Sequence, residues 1–250
     1  MDHRIKSIAI HQPNYIPWLG YFFKIFMADQ FIFHDDVVFS SKSFTKRALI
    51  RKEFNSLETQ WLGIAVESSK DKKIHDIKID HTSVKVKRHL KKLEYLYHNT
   101  PYFDYYFPSV KSILSEVDQF EHLAAYNIYI IKELSKLLKI NSAFEKSSSL
   151  DLNLKGQEYN MALIKHYNCS LYYSGTGAKE YQDESLFSKN NVALIYLETL
   201  DYLNENKYLQ HQGEFLSGLS IIDSIMNVGV EGVREIFFAM RQKFNPSQSF

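Results

Sequence analysis

The sequence predicts an α/β protein, with a mostly parallel sheet, flanking helices and a helical insert in the middle third. Three observations predict it. Short apolar runs alternate with helical spacing at both ends of the chain, which implies parallel strands joined by helical crossovers. Residues 84–149 show helical intervals alone. The length, 250 residues, suits one large α/β domain carrying an insert. The expected organisation is residues 1–83 as the first part of the α/β domain, 84–149 as a helical subdomain and 150–250 as the second part.

Each element follows from its local pattern. Ser7 to Ile10 is a short apolar run and reads as a buried strand. Pro13 and Pro17 bracket a loop, because proline fixes φ and lacks the N–H that a helix or central strand requires. Trp18 to Ala28 has helical spacing through Leu19, Phe22 and Phe26. Gln30 to Phe33 and Trp61 to Val66 are further strand candidates. In the middle third, Val86, Leu90, Leu93 and Tyr97 fall at helical intervals, Pro101 and Pro108 punctuate, and Phe120 to Leu138 repeats the pattern. Ser147-Ser148-Ser149 reads as a connection. Gln157 to His166 reads as helix, Leu171 to Tyr173 and Val192 to Leu197 as strands, and Ser174-Gly175-Thr176-Gly177 as a glycine turn. Ser220 to Asn227 is a helix with Ser220 as N-cap, Asp223 completing an approximate capping box and Gly229 closing it in a left-handed conformation.

Composition narrows the class. Thirty basic and 29 acidic residues leave a formal net charge of +1, too balanced for a dedicated nucleic-acid binder. The single cysteine, Cys169, makes no internal disulfide, and no Cys/His metal framework is present, so no metal site is expected. A reducing, cytoplasmic setting is expected, since residues 1–6 lack the apolar run of a signal peptide. No run of about 20 apolar residues exists to span a membrane: the most apolar stretch, Tyr21 to Phe33, is broken by Lys24 and Asp29. The 17 Tyr and 18 Phe suit pockets and interfaces as well as a core, and make a homodimer plausible.

The strongest local feature is Ile10-His11-Gln12-Pro13-Asn14-Tyr15-Ile16-Pro17-Trp18-Leu19-Gly20. A strand entering a proline-stiffened polar loop and then a helix is a ligand-facing corner of an open α/β sheet, and the helix start favours anions. His11 is the candidate general base, with an ordinary pKa of about 6.5. Gln12, Asn14, Tyr15 and Trp18 are candidate substrate contacts. A purely structural turn is the competing reading of the same residues. Asp35 and Asp36 end the second strand and are candidates to orient His11 or accept from sugar hydroxyls. Arg47 is a candidate phosphate clamp, whereas the basic run from Lys70 to Lys92 reads as a solvated face. Ser174, Gly175, Gly177 and Tyr181 form a second strand-end loop that permits close backbone approach to an anion. Tyr208, Gln210 and Asp223 are further candidates.

These stretches resemble the WbqC-like family of bacterial surface-polysaccharide gene clusters. The resemblance rests on His11 through Phe22, Phe33-His34-Asp35-Asp36-Val37, Tyr173 through Ala178 with Tyr181, and Tyr208-Leu209-Gln210 followed by Leu219 through Asp223 and Asn227-Val228-Gly229. The chain departs from the family at Phe44 through Ile50, where an Asn-rich Arg segment is usual, and at His34, where an apolar residue is common. The resemblance implies a transferase that places an acyl or aminoacyl group on the amine of a nucleotide-linked amino sugar, with that sugar and an acyl or aminoacyl donor as partners. The cofactor stays unknown. The His11 corner is also loosely similar to the signature of nucleotidyl-transfer folds, but those want His-x-Gly-His and no His follows Gly20. Adenylyl transfer is therefore an alternative reading, and a non-catalytic binding protein of a glycan-assembly complex is another.

Overall fold

A computed structural model describes residues 6–83, 85–150 and 152–244. Residues 1–5, read above for a leader, and position 84, the expected start of the middle segment, lie outside the described residues. In chain order the first elements are β1 (Ser7–His11), α1 (Leu19–Met27), β2 (Gln30–Phe33), β3 (Arg47–Arg51) and β4 (Thr59–Gly63). Three helices follow, α2 (Val86–Tyr97), α3 (Phe103–Ser115) and α4 (Leu123–Leu137). The chain then adds β5 (Ala143–Lys146), α5 (Gly156–His166), β6 (Leu171–Gly175) and α6 (Glu184–Lys189). It ends with β7 (Ala193–Leu197), α7 (Thr199–Glu205) and α8 (Ile221–Lys243).

Five parallel strands form the central sheet in the order β5-β2-β1-β6-β7. The fold is α/β, as the alternating pattern predicts. Side chains on successive strand positions point to opposite faces, and the core divides accordingly. Ala9, Phe31, Phe33, Leu171 and Tyr173 join one large apolar core with α1, α8 and the helices α2 to α4. Ile8, Ile10, Ile32 and Tyr172 join a second core with α5 and Phe187 of α6. A strand buried on both faces needs a nearly continuous apolar run, which is what β1 and β2 carry. Burying a side chain such as Phe31 or Phe33 contributes roughly 1.5–3 kcal/mol. Helix α1 is buried on most sides, with Phe23 against Phe237 and Phe244, and Phe26 against Phe237 and Phe238.

Several expectations change. The strand expected at Trp61–Val66 runs from Thr59 to Gly63 and pairs antiparallel with β3 in a separate two-stranded sheet. Pro108 does not punctuate, because α3 runs through it. Proline removes one i→i−4 bond there, and packing of α3 against its neighbours outweighs that loss. Gly229 does take a positive φ of 70°, but a second helical stretch starts at once and carries α8 to Lys243. The Tyr102 ring fills the space where a side chain at 229 would stand, 2.7 Å from its Cβ position.

Ser220 is the N-cap of α8, its hydroxyl accepting from the Ile222 N–H at 3.4 Å. Asp223 does not complete a capping box. Its carboxylate accepts from Tyr97 Oη (3.0 Å), Tyr208 Oη (2.7 Å) and Gln210 Nε2 (2.8 Å). The Gln210 carbonyl in turn accepts from the fully buried Arg51 at 2.8 Å. Burial lifts the Asp223 carboxyl to about 6, against the pull of these donors and Arg51. The network ties β3 and the loop after α7 to α8. Asp223→Asn turns an acceptor into a donor facing other donors, so a loss of about 1–3 kcal/mol is expected in urea unfolding.

Candidate functional site

The sheet reverses direction of winding at β1. The chain moves outward from β1 through β2 to β5, then returns to lay β6 and β7 on the other side. Open sheets of this kind bind ligands outside the carboxyl ends of the strands at that switch point. Here those ends are His11 and Ser174-Gly175.

A cleft with two adjoining lobes opens there. The polar lobe, about 370 Å³, is lined by His11, Gln12, His34, Asn160, Ser174, Gly177, Tyr181 and Gln182. The apolar lobe, about 440 Å³, is lined by Trp18, Tyr21, Phe44, Leu49, Leu197 and Leu200. His11, Lys24, Gly175 and Gly177 belong to both.

His11 Nδ1 lies 3.1 Å from the Gln12 carbonyl. A carbonyl only accepts, so Nδ1 carries the proton and Nε2 keeps its lone pair. Burial, followed by the Lys24 charge, pulls the imidazole down to about 3, so it stays neutral at ordinary pH. Tyr21 supports the ring edge-on at 4.8 Å and donates its hydroxyl to the same Gln12 carbonyl at 2.9 Å. The loop itself is tied down. Asn127 on α4 donates to Pro13 O (2.9 Å) and Thr45 O (2.7 Å), and Tyr15 N donates to Phe44 O at 2.9 Å. Ile16 is held at φ 39°, a left-handed conformation rare for a β-branched residue.

Lys24 was read in the sequence only as a break in an apolar run. It is 7% exposed on α1, yet makes no hydrogen bond or ion pair with the described residues. Its Nζ would stand 3.4 Å from a Cβ placed on Gly175, so the bare glycine lets the ammonium approach the end of β6. Burial alone pulls it down to about 8. A buried cation without a counter-charge is costly and marks a place for an anion. Gly20 has a comparable steric role. A Cβ there would meet the Trp18 ring at 2.4 Å and Thr199 Cγ2 at 2.8 Å. Gly20→Ala is expected to displace Trp18 into the apolar lobe and cost about 1–3 kcal/mol, read as a shifted emission in a protein whose other tryptophan is Trp61.

The remaining candidates, Ser174 excepted, lie elsewhere. Asp35 is 1% exposed; its carboxylate accepts from Ser148 N (3.0 Å) and Ser148 Oγ (2.9 Å), and its N–H donates to Ser147 Oγ at 3.2 Å. Asp36 accepts from Ser147 Oγ and from Tyr159 Oη. Burial pushes the Asp36 carboxyl up, but these donors and His34 outweigh it and hold it below the ordinary range. Neither carboxylate contacts His11, and the orienting contact expected of them comes from the Gln12 carbonyl. The serines read as a mere connection supply the partners that fix both aspartates. His34, between them and the cleft, stacks on Tyr159 at 5.1 Å, with its Nε2 3.8 Å from Asp36. Arg47 stacks on Trp61 at 4.0 Å and donates to Lys42 O, outside the cleft lining. Asn14 and Tyr15 are buried, the latter hydroxyl 3.0 Å from His89 Nδ1. Ser174 donates to Gln182 Oε1 at 3.2 Å, which makes it part of the wall. Tyr208, Gln210 and Asp223 belong to the buried network with Arg51. Lys24, His34, Asn160 and Gln182 were missed; only the lysine inside an apolar helix carried a signal in the sequence.

Among the described residues, no group of three or more His, Cys, Asp or Glu side chains is arranged to hold a metal ion. No described helix is long and apolar enough to cross a membrane.

The chain is similar to the protein named Uncharacterized protein Rv1507c of Mycobacterium tuberculosis (strain ATCC 25618 / H37Rv), 29% identical over 229 residues, covering 91% of this chain and 96% of that one. No solved structure matches. The model of the WbqC-like protein family matches residues 12–235, a span that takes in the proline-stiffened loop, α1, the end of β6 and most of α8. The chain therefore belongs to the WbqC-like protein family.

Proposed function

We propose that the protein is an enzyme of bacterial surface-glycan biosynthesis that transfers an acyl or aminoacyl group to the amine of a nucleotide-linked amino sugar. The observation that carries this reading is Lys24, buried without a counter-charge at the junction of two lobes beside a neutral imidazole. The diphosphate of a nucleotide sugar supplies the missing anion, and the backbone of the Gly175–Gly177 turn admits it closely. Gln12, Asn160 and Gln182 offer amide groups to sugar hydroxyls. An amine attacks an acyl carbon only after losing its proton, and His11 Nε2 is the free acceptor in the cleft. At rest the imidazole is a weak base, held down first by burial and then by Lys24; a phosphate anion beside it offsets the Lys24 part and raises its basicity.

Thermal-shift profiling against nucleotide-linked amino sugars tests the reading. Ligand at about 100 times Kd should add about 2.7 kcal/mol of stability, and the stabilising sugar should then become acylated when donors are supplied. Pyrophosphate release from ATP with a carboxylic acid, and no response to nucleotide sugars, would favour nucleotidyl transfer instead.

A further inference from the structure

We infer that the apolar lobe receives the acyl chain of the donor, and that this acyl group is short and aliphatic, as in an acyl thioester. The inference rests on the acyl-transfer reading and names its second substrate.

The two lobes divide by chemistry. The side chains that read polar edges, Gln12, His34, Asn160 and Gln182, all line the polar lobe. The apolar lobe offers Trp18, Phe44, Leu49, Leu197 and Leu200; away from the junction it has the hydroxyls of Thr176, Thr199 and Ser217 but no amide or carboxylate side chain, so apolar surface dominates it. Its volume, about 440 Å³, falls in the small-molecule range. Two of its apolar walls are left partly open, Phe44 at 46% and Leu200 at 44% exposed, which is surface that an apolar group would cover. The lobe meets the polar one at His11, Lys24 and Gly175. A chain lying in it therefore presents its carbonyl at that junction, where the sugar amine arrives from the other side.

The step balances with these groups. The amine nitrogen attacks the thioester carbonyl carbon and an N–C bond forms. The C–S bond breaks and the electron pair leaves on sulfur. The amine proton passes to His11 Nε2 and from there to the departing thiolate, so the products are an amide and a thiol and the protein is unchanged.

Calorimetric titration with acetyl, butyryl, hexanoyl and octanoyl pantetheine thioesters tests the inference, alongside titration with a nucleotide-linked amino sugar. In the unaltered protein, affinity should rise roughly fourfold per buried methylene until the lobe is full. Leu200→Trp fills the lobe from an exposed position on α7, and a folded variant, checked by circular dichroism, should lose that chain-length increment. An affinity independent of chain length, with the nucleotide sugar still binding, overturns the inference and leaves the acceptor reading intact. Loss of nucleotide-sugar binding in Leu200→Trp places the nucleotide in the apolar lobe and also overturns it. Chain-length-dependent thioester binding with no nucleotide-sugar binding upholds the apolar lobe as the acyl site and removes the proposed acceptor.

Discussion

Lys24→Met should make the unliganded protein more stable and its binding of phosphate-bearing ligands at least roughly 30-fold weaker. Both effects have one cause. Folding takes the Lys24 side chain largely out of water without giving it a partner, and the lowering from 10.5 to about 8 reflects that burial. At about 1.36 kcal/mol per pKa unit, the penalty is on the order of 3 kcal/mol. The sign follows from proton binding. Between the folded value near 8 and the unfolded 10.5, the unfolded chain holds more protons at this site. Stability from this group therefore rises with pH through that window and is lowest below it. Methionine has similar length and no charge, so Lys24→Met should abolish the alkaline rise in urea-unfolding free energy. A ligand phosphate would then enter the cleft unpaired, which is where the binding loss comes from. A variant that was less stable and bound phosphate ligands normally would show that Lys24 only packs.

His11→Ala should lower turnover by about 10²–10⁴ with the fold intact. His11 lines both lobes, its Nε2 makes no hydrogen bond with the described residues, and its ring is held by Gln12 and Tyr21. Removing it takes away the proton acceptor and leaves the Lys24 anion site in place, so kcat should fall more than affinity for the nucleotide sugar. The folded His11 binds its proton far less readily than the unfolded chain, at about 3 against 6.5. Its contribution to stability is therefore lost as pH falls through 6.5 towards 3, and His11→Ala should flatten part of that acid dependence in pH-resolved unfolding. His34 and His89, also held below the ordinary imidazole value chiefly by burial, and Asp36, held down by its donors, act in the same direction, whereas Asp223, lifted to about 6, acts in the opposite one. Equal losses of kcat and binding would point to a structural histidine.

How far the sequence carried depended on whether a pattern was local. The runs in β1, β2 and β6 were legible because strands buried on two faces must be apolar throughout. At the sheet edge, part-buried β7 was legible because Ala-Leu-Ile-Tyr-Leu is a continuous apolar run. Strand β5 was not, because Ala-Phe-Glu-Lys at the sheet edge offers one large apolar side chain, Phe144. The continuation of α8 past Gly229 was hidden because a positive-φ glycine ordinarily ends a helix, and only the Tyr102 ring explains why this one sits within a kink. For the site, the His-Gln-Pro corner and the Gly-Thr-Gly turn could be read, since strand ends announce themselves through polar and glycine residues. Asp35 and Asp36 looked alike with them, but their partners Ser147 and Ser148 stand more than a hundred residues away in the chain. Lys24 illustrates the converse. A charge inside a mostly buried helix contradicts its surroundings, and such contradictions between local pattern and chemistry gather at functional sites.

The central claim, that the junction of the two lobes holds the phosphate of the substrate, is tested most directly by following the Lys24 side chain by NMR of ¹³C-lysine-labelled protein. In the free protein this lysine should titrate near 8, apart from its exposed counterparts. Adding a nucleotide diphosphate-linked amino sugar should move that titration upward and broaden or shift the Lys24 signal first. Saturable binding of the same sugar that leaves Lys24 unmoved, with the changes falling instead on Lys73 or Lys146 near the paired aspartates, would contradict the account.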